Sequence, residues 1–344
     1  YNYLMSTQPV EVLVTVSFPE EIIEPLRHIS PRVRLTMQPV RGPEDIPIDV
    51  WNRTEVLYTD RLLPPVAAVP NLRWIQFHYA GVDHAAGNPL LSKPELSITT
   101  LSGAAAPQVA EYAVMMMLAL GHKMPDLHAN QYKTDWPKDR WDRFRPMELR
   151  GSTVGIVGYG SIGREVARLL QPFDVKILAA KRDVMQPQDD GYMPAGLGDP
   201  TGDFFTRLYP ITALKSMFKL CDFVVVCVPL TPATRNLIGE AELAALRPTA
   251  YLVDVSRGGI IQPQALVTAL QDKKFGGAAL DVFAEEPLPA TSPLWKLPNV
   301  LISPHISGIS SQYARRAVSL FGENLTRYLS GTTLFNLYSP ENGY

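Results

Sequence analysis

Cysteine is scarce in this chain: Cys221 and Cys227 are the two among 344 residues. They flank one apolar run, and six residues of strand would hold them roughly 20 Å apart, too far for a disulfide. Both read as core residues of a protein in a reducing compartment, so a cytoplasmic location is expected. Excess charge is lacking too. A formal net charge of −2 gives no overall basic field for a phosphate backbone, which argues against a nucleic-acid partner. No uncharged apolar run approaches 18 residues, and the N-terminus lacks a basic region followed by an apolar one. Neither a membrane span nor a signal peptide is expected. Tyr1 to Leu4, ahead of Met5, are expected to be an expression remnant. His28, His78, His84, His122 and His128 show no metal-ligand spacing, and G-x-S-x-G is absent, so metal and serine-hydrolase chemistry lack support.

What is present is apolar residue, 46% of the chain, enough for a substantial core at a length that suits two domains. Val10 to Ser17 reads as a buried strand and Glu20 to His28 as a helix. Short strands follow at Val33 to Gln38, Val56 to Thr59, Leu72 to Phe77 and Ser97 to Thr100, with proline-rich breaks between them. Gln108 to His122 is apolar nearly all round, which predicts a helix buried between two layers. Lys123 to Arg150 is polar and reads as a link. From Ser152 the order strand, glycine turn, helix, strand marks a βαβ unit. Cys221 to Val228, Ala250 to Val255, Gly277 to Val282 and Val300 to Ser303 are short and apolar, as strands covered on both faces are. A doubly wound parallel α/β sheet is expected. Arg182 to Pro210, rich in Gly, Pro and Asp, interrupts it as a long loop.

Gly158, Gly160 and Gly163 form G-x-G-x-x-G between a strand and a helix, where bare backbone can meet a pyrophosphate at the positive helix end. The strand that should end in a ribose-binding acid ends instead in Ala180, Lys181 and Arg182. Two cations there suit a 2′-phosphate, which predicts NADP(H) over NAD(H). The alternative is a solvated pair, with Asp183 taking the acid's role through a shifted turn. Arg257, Glu286 and His305 each follow a predicted strand, where open α/β sheets place their ligands. A guanidinium can grip a carboxylate in two-pronged fashion, and an imidazole can carry a proton.

Seven motifs then stand in order: YAGVDH from Tyr79, VAE at Val109 to Glu111, VGIVGYGSIG, VPLTPAT from Val228, VSRGG, LDVFAEEPL and SPHISG. In these the chain closely resembles the D-isomer-specific 2-hydroxyacid dehydrogenase family, which includes glyoxylate and hydroxypyruvate reductases. The resemblance implies two Rossmann-like α/β domains with an active-site cleft between them. Residues 1–105 plus 307–344 would form a flavodoxin-like substrate domain and 106–306 the dinucleotide domain. It implies His305 as acid/base, Glu286 as its partner and Arg257 as substrate anchor, with the amides of Ala80 and Gly81 holding the substrate carboxylate. Further cofactor contacts are implied for Ser161, Ile162, Val228, Pro229, Thr234, Val255, Ser256, His305 and Gly308, and for Asp281 at the nicotinamide amide. A homodimer through the helix near Gln108 is also implied. Formate is disfavoured because formate dehydrogenases carry Gln where this chain has Glu286. No regulatory domain is expected after the closing helix, which disfavours the larger phosphoglycerate dehydrogenases.

The expected reaction is NADPH-dependent reduction of a small 2-keto acid to the D-2-hydroxy acid, with protonated His305 donating to the carbonyl oxygen. His78, Tyr79 and Leu101 either line the substrate pocket or pack. His84 is expected to support the substrate loop. A second class of function stays open, a dinucleotide sensor governing protein association like the corepressors of the same fold.

Overall fold

The computed structural model describes residues 8–85 and 87–339; Tyr1 to Leu4 lie outside them. The chain divides into two compact units, Tyr1–Ala105 with Ser310–Tyr344, and Ala106–Ile309.

The first unit holds five parallel strands, β1 (Val10–Val14), β2 (Val33–Met37), β3 (Val56–Thr59), β4 (Trp74–Phe77) and β5 (Ser97–Thr99). Their order is 2-1-3-4-5, the flavodoxin-like winding. β3 and β4 are buried along their whole length, so both faces must be covered. One cover is the closing helix Tyr313–Ser330, whose Phe321 packs edge-on against Tyr58 at 4.9 Å. Its Asn324 donates to Gln76 Oε1.

The second unit holds seven parallel strands, β6 (Thr153–Val157), β7 (Lys176–Lys181), β8 (Arg207–Pro210), β9 (Phe223–Val226), β10 (Tyr251–Asp254), β11 (Gly277–Leu280) and β12 (Val300–Ile302). They lie in the order 12-11-10-9-6-7-8. Two parallel sheets were expected, and two are found. The order reverses beside β6, the switch point where such sheets open a crevice at the carboxyl ends of their strands. Val224, Val225 and Val226 are fully buried, each contributing roughly 1.5–3 kcal/mol through removal from water. The strands run one to four residues shorter than the apolar runs, because those runs continue into turns that pack while leaving the ladder.

Three expectations need correction. The stretch from Arg182 is not loop throughout: Arg207–Pro210 is an edge strand pairing Leu178 with Arg207. Pro210 ends that strand, where its missing N–H costs no ladder bond. The apolar helix spans Ala106–Gly121 and is not covered all round, since Met115 is 51% exposed. The link Lys123 to Arg150 contains two short helices, Met124–Tyr132 and Arg140–Arg143.

Candidate active site

The glycine turn leaves the sheet at β6. Gly158 has φ 103°, a left-handed value that costs a residue without Cβ little. A Cβ at Gly163 would stand 2.1 Å from the Gly158 carbonyl oxygen, so only glycine lets the helix Ser161–Leu170 approach. Gly160 differs: no protein atom lies within 4 Å of where its Cβ would be. The protein's own packing therefore does not require glycine there, whereas a group laid against the backbone would. With the helix starting at that point, exposed amides and the positive helix end fit a pyrophosphate. Thr234 serves the neighbouring loop, its hydroxyl donating to Pro229 O at 2.7 Å and accepting from Thr231 N.

At the end of β7, the Lys181 ammonium donates to the carbonyls of Gln186 (2.5 Å) and Gln188 (3.1 Å). Burial, and Arg164 nearby, lower its pKa. Arg182 follows, exposed. Asp183 accepts from Met185 N at 2.9 Å, so one of its carboxylate oxygens caps a turn.

The other cluster stands on the ends of β10, β11 and β12. His305 Nδ1 lies 2.8 Å from Glu286 Oε2, and Glu286 Oε1 accepts from Phe283 N at 2.9 Å. The structure thus brings two of the three chemistry-bearing residues into contact. Arg257 sits on the turn after β10, its guanidinium donating to Ser256 O. That turn is pressed on the Glu286 loop: a Cβ at Gly258 would meet Phe283 O at 1.8 Å. His305 has a left-handed backbone, φ 54°, which is uncommon for a residue bearing a side chain and needs external support.

That support comes from Asp281, which is fully buried. Its Oδ1 accepts from Ser303 Oγ (2.5 Å) and Ile306 N (2.9 Å), and its Oδ2 from Ser307 N (2.9 Å). The residue expected at the nicotinamide amide thus spends both oxygens on the loop carrying the imidazole. Three positioning residues were not foreseen. Tyr112, on the Ala106–Gly121 helix, shares a 2.5 Å hydrogen bond with Ser303, and burial pushes its phenol up to about 12. Gln108 donates to Gly308 O. Asp254 accepts on Oδ1 from Ser256 N and Ser256 Oγ; burial, with Asp281 near it, pushes its carboxyl up to about 7. The sequence signal was there in VDVS and SPH, but a polar residue between strand and turn has many bland explanations.

On the first unit, Ala80 is exposed and Gly81 half-buried just beyond β4. Tyr79 is 45% exposed, but Leu101 is fully buried and lines nothing. His78 is 9% exposed, hydrogen-bonded through Nδ1 to Tyr58 OH at 2.6 Å, and burial lowers its pKa to about 4. It packs as a neutral ring. His84 Nε2 lies 3.1 Å from Asp60 O, a loop contact.

A family profile described as "D-isomer specific 2-hydroxyacid dehydrogenase, NAD binding domain" matches residues 114–307. The chain is 34% identical over 278 residues to a glyoxylate reductase of Thermofilum pendens, covering 80% of this chain and 77% of that one. It is 27% identical over 341 residues to a glyoxylate reductase of Thermococcus litoralis, covering 96% and 97%. A solved D-isomer specific 2-hydroxyacid dehydrogenase family protein from Aeromonas salmonicida superposes with a TM-score of 0.74 at 28% identity, over 97% of this chain and 99% of that one. Seven ordered motifs, a glycine turn that only bare backbone can form and an imidazole–carboxylate pair at the strand ends accord with these matches: the chain belongs to the D-isomer specific 2-hydroxyacid dehydrogenases, oxidoreductases that act on a CH–OH group.

Proposed function

We propose that this chain reduces a small 2-keto acid of the glyoxylate or hydroxypyruvate type to the D-2-hydroxy acid with NADPH, and that His305 supplies the proton. The 2.8 Å contact between His305 Nδ1 and Glu286 Oε2 carries the reading. A carboxylate accepts only, so Nδ1 bears hydrogen and the Nε2 edge is left to exchange a proton with substrate. When bound, the nicotinamide supplies hydride, and the chain's tasks are to bind, orient and deliver the proton.

Glu286 accepts at Nδ1 and fixes the ring plane. Arg257 is the anchor for the substrate carboxylate, its planar fork matching the two oxygens. On the first unit, the substrate domain of this reading, the Ala80 and Gly81 amides are the further donors. Asp281, through the 303–307 loop, keeps the imidazole in place, so orientation and charge stabilisation act on the same carbonyl. The similar glyoxylate reductases support a short substrate. The absence of an acid at the end of β7 supports NADPH. Two unpaired thiols accord with a reducing cytoplasm, and the exposed face of the Ala106–Gly121 helix accords with a homodimer.

The test is NADPH oxidation at 340 nm with glyoxylate, hydroxypyruvate and larger 2-keto acids. Steady turnover, lost about 100-fold or more in His305→Ala while NADPH still binds, is the expected result. Silence across the whole panel with tight NADPH binding would overturn it in favour of a dinucleotide sensor.

A further inference from the structure

The helix that begins at the glycine turn contains two charged residues, Arg164 and Glu165, each 1% exposed. Burying charge is costly unless every ion is answered; Arg168 on the same helix answers Glu165 through a two-pronged pair, and the remaining answers come from the long segment after β7. Arg164 donates to the carbonyls of Asp199 and Pro187 and pairs with Asp189 at 3.2 Å. Glu165 accepts from Gly198 N at 2.7 Å. Asp199, 2% exposed, is the hub. Its Oδ2 accepts from Tyr159 OH (2.6 Å) and Phe204 N, and its Oδ1 from Gly202 N and Asp203 N (2.8 Å). Tyr159 is itself the residue between the first two glycines of the turn, and it meets Phe205 edge-on at 5.2 Å. The segment is thus latched onto the element that would receive the dinucleotide.

Lys181 completes the latch. Two of its three donors are spent on the carbonyls of Gln186 and Gln188, closing 181–188 into a small ring with Arg182 inside it. A strand end that would otherwise run into a free loop is held in one conformation, so less side-chain and backbone freedom is lost when an anion is bound there. The role of the two cations then divides.

We propose that residues 183–206 are a specificity element for the adenosine end of the dinucleotide: latched through Asp199, Arg164 and Lys181 to the glycine-turn helix, they hold Arg182 as the side chain that reads a 2′-phosphate, with Lys181 as its strut. This rests on the NADPH reading above. Asp199 and Arg164 touch no reacting atom and act as positioning residues.

The test compares binding of 2′,5′-ADP and 5′-AMP, which differ by the 2′-phosphate, to the full-length protein by calorimetry. Wild type is expected to prefer 2′,5′-ADP, and Arg182→Ala to lose that preference by at least tenfold with 5′-AMP affinity kept. Asp199→Asn and Lys181→Met are expected to lose at least fivefold of the same preference and to become sensitive to limited proteolysis within 184–206, which Arg182→Ala does not. For Asp199→Asn, kcat at saturating NADPH should be unchanged. Tyr159→Phe, which removes one hydroxyl from the latch, gives a milder loss in the same direction and stands in if Asp199→Asn does not fold. A wild type blind to the 2′-phosphate overturns the NADPH reading and this inference together. A wild type that discriminates through Arg182, with latch variants that discriminate equally well, overturns this inference alone.

Discussion

Asp254→Asn tests the electrostatics beneath the site. Burial holds the Asp254 carboxyl at about 7, up from an ordinary 3.8. Between these two values the folded chain keeps a proton that the unfolded chain has released. Stability therefore falls as pH rises through the window and levels off above 7. At about 1.4 kcal/mol per decade of proton affinity, the ionisation of Asp254 costs the fold about 1 kcal/mol at pH 4.5 and about 4 kcal/mol at pH 8.5. Asparagine keeps the Oδ1 acceptor that Ser256 N and Oγ use and removes the charge. The variant should gain about 3 kcal/mol on wild type between these two pH values, seen as a melting-temperature advantage that widens by roughly 6–12 °C for a unit of this size. Scanning calorimetry of both proteins at pH 4.5 and 8.5 measures it, and every other titrating group cancels in the comparison. An advantage that is the same at both pH values, or that shrinks as pH rises, refutes the reasoning.

Other outcomes follow from single contacts. Burial lowers His78 to about 4, so the unfolded state takes up a proton first as the medium is acidified. The first unit should lose about 3 kcal/mol between pH 6.5 and 4, and His78→Phe should flatten that loss in urea titrations. Gly163→Ala forces a Cβ to 2.1 Å from a backbone oxygen; a destabilisation of about 3 kcal/mol and no detectable energy transfer to bound NADPH are expected. Ser303→Ala removes the hydroxyl shared by Asp281 and Tyr112. It should lower kcat about fivefold, the equivalent of about 1 kcal/mol, with NADPH affinity kept; loss of affinity with kcat intact would show that the loop serves the cofactor instead.

Much of this was legible in sequence because the elements are locally encoded. A glycine triplet after VGIV can only make one kind of turn, and runs such as FVVV have no stable place but a sheet covered on both faces. The His305–Glu286 contact was foreseen from ordered motifs, since nineteen residues of turn and strand separate the pair and no local rule joins them. β8 was not legible: Arg207 and Pro210 carry no apolar alternation, and the strand exists because Thr206 N finds Ile177 O at the open edge of β7. The buried ions Arg164, Glu165 and Asp199 were hidden for a related reason. A helix beginning SIGREVARLL looks like one with a solvated charged stripe, its Glu165 paired to Arg168 on the same face, until the segment that answers Arg164 is folded upon it, and that segment has no periodicity from which its course could be inferred.

The same principle sets the geometry at the strand ends. Parallel strands deliver Arg257, Glu286 and His305 to one edge, but backbone alone leaves the turns free to sample several arrangements. Asp254 fixes the first turn through Ser256, and Asp281, whose own amide bonds to Asp254 O at 3.0 Å, fixes the His305 loop through three donors. Two carboxylates at the ends of neighbouring strands thus hold the turns that carry Arg257 and His305. Burial, and after it their closeness, raises the Asp254 carboxyl. Removing the charge from Asp254 should therefore stabilise the protein while leaving the imidazole where it is. Removing it from Asp281 should loosen the loop that holds His305 in its left-handed backbone, and Asp281→Asn should lower kcat even where the fold survives.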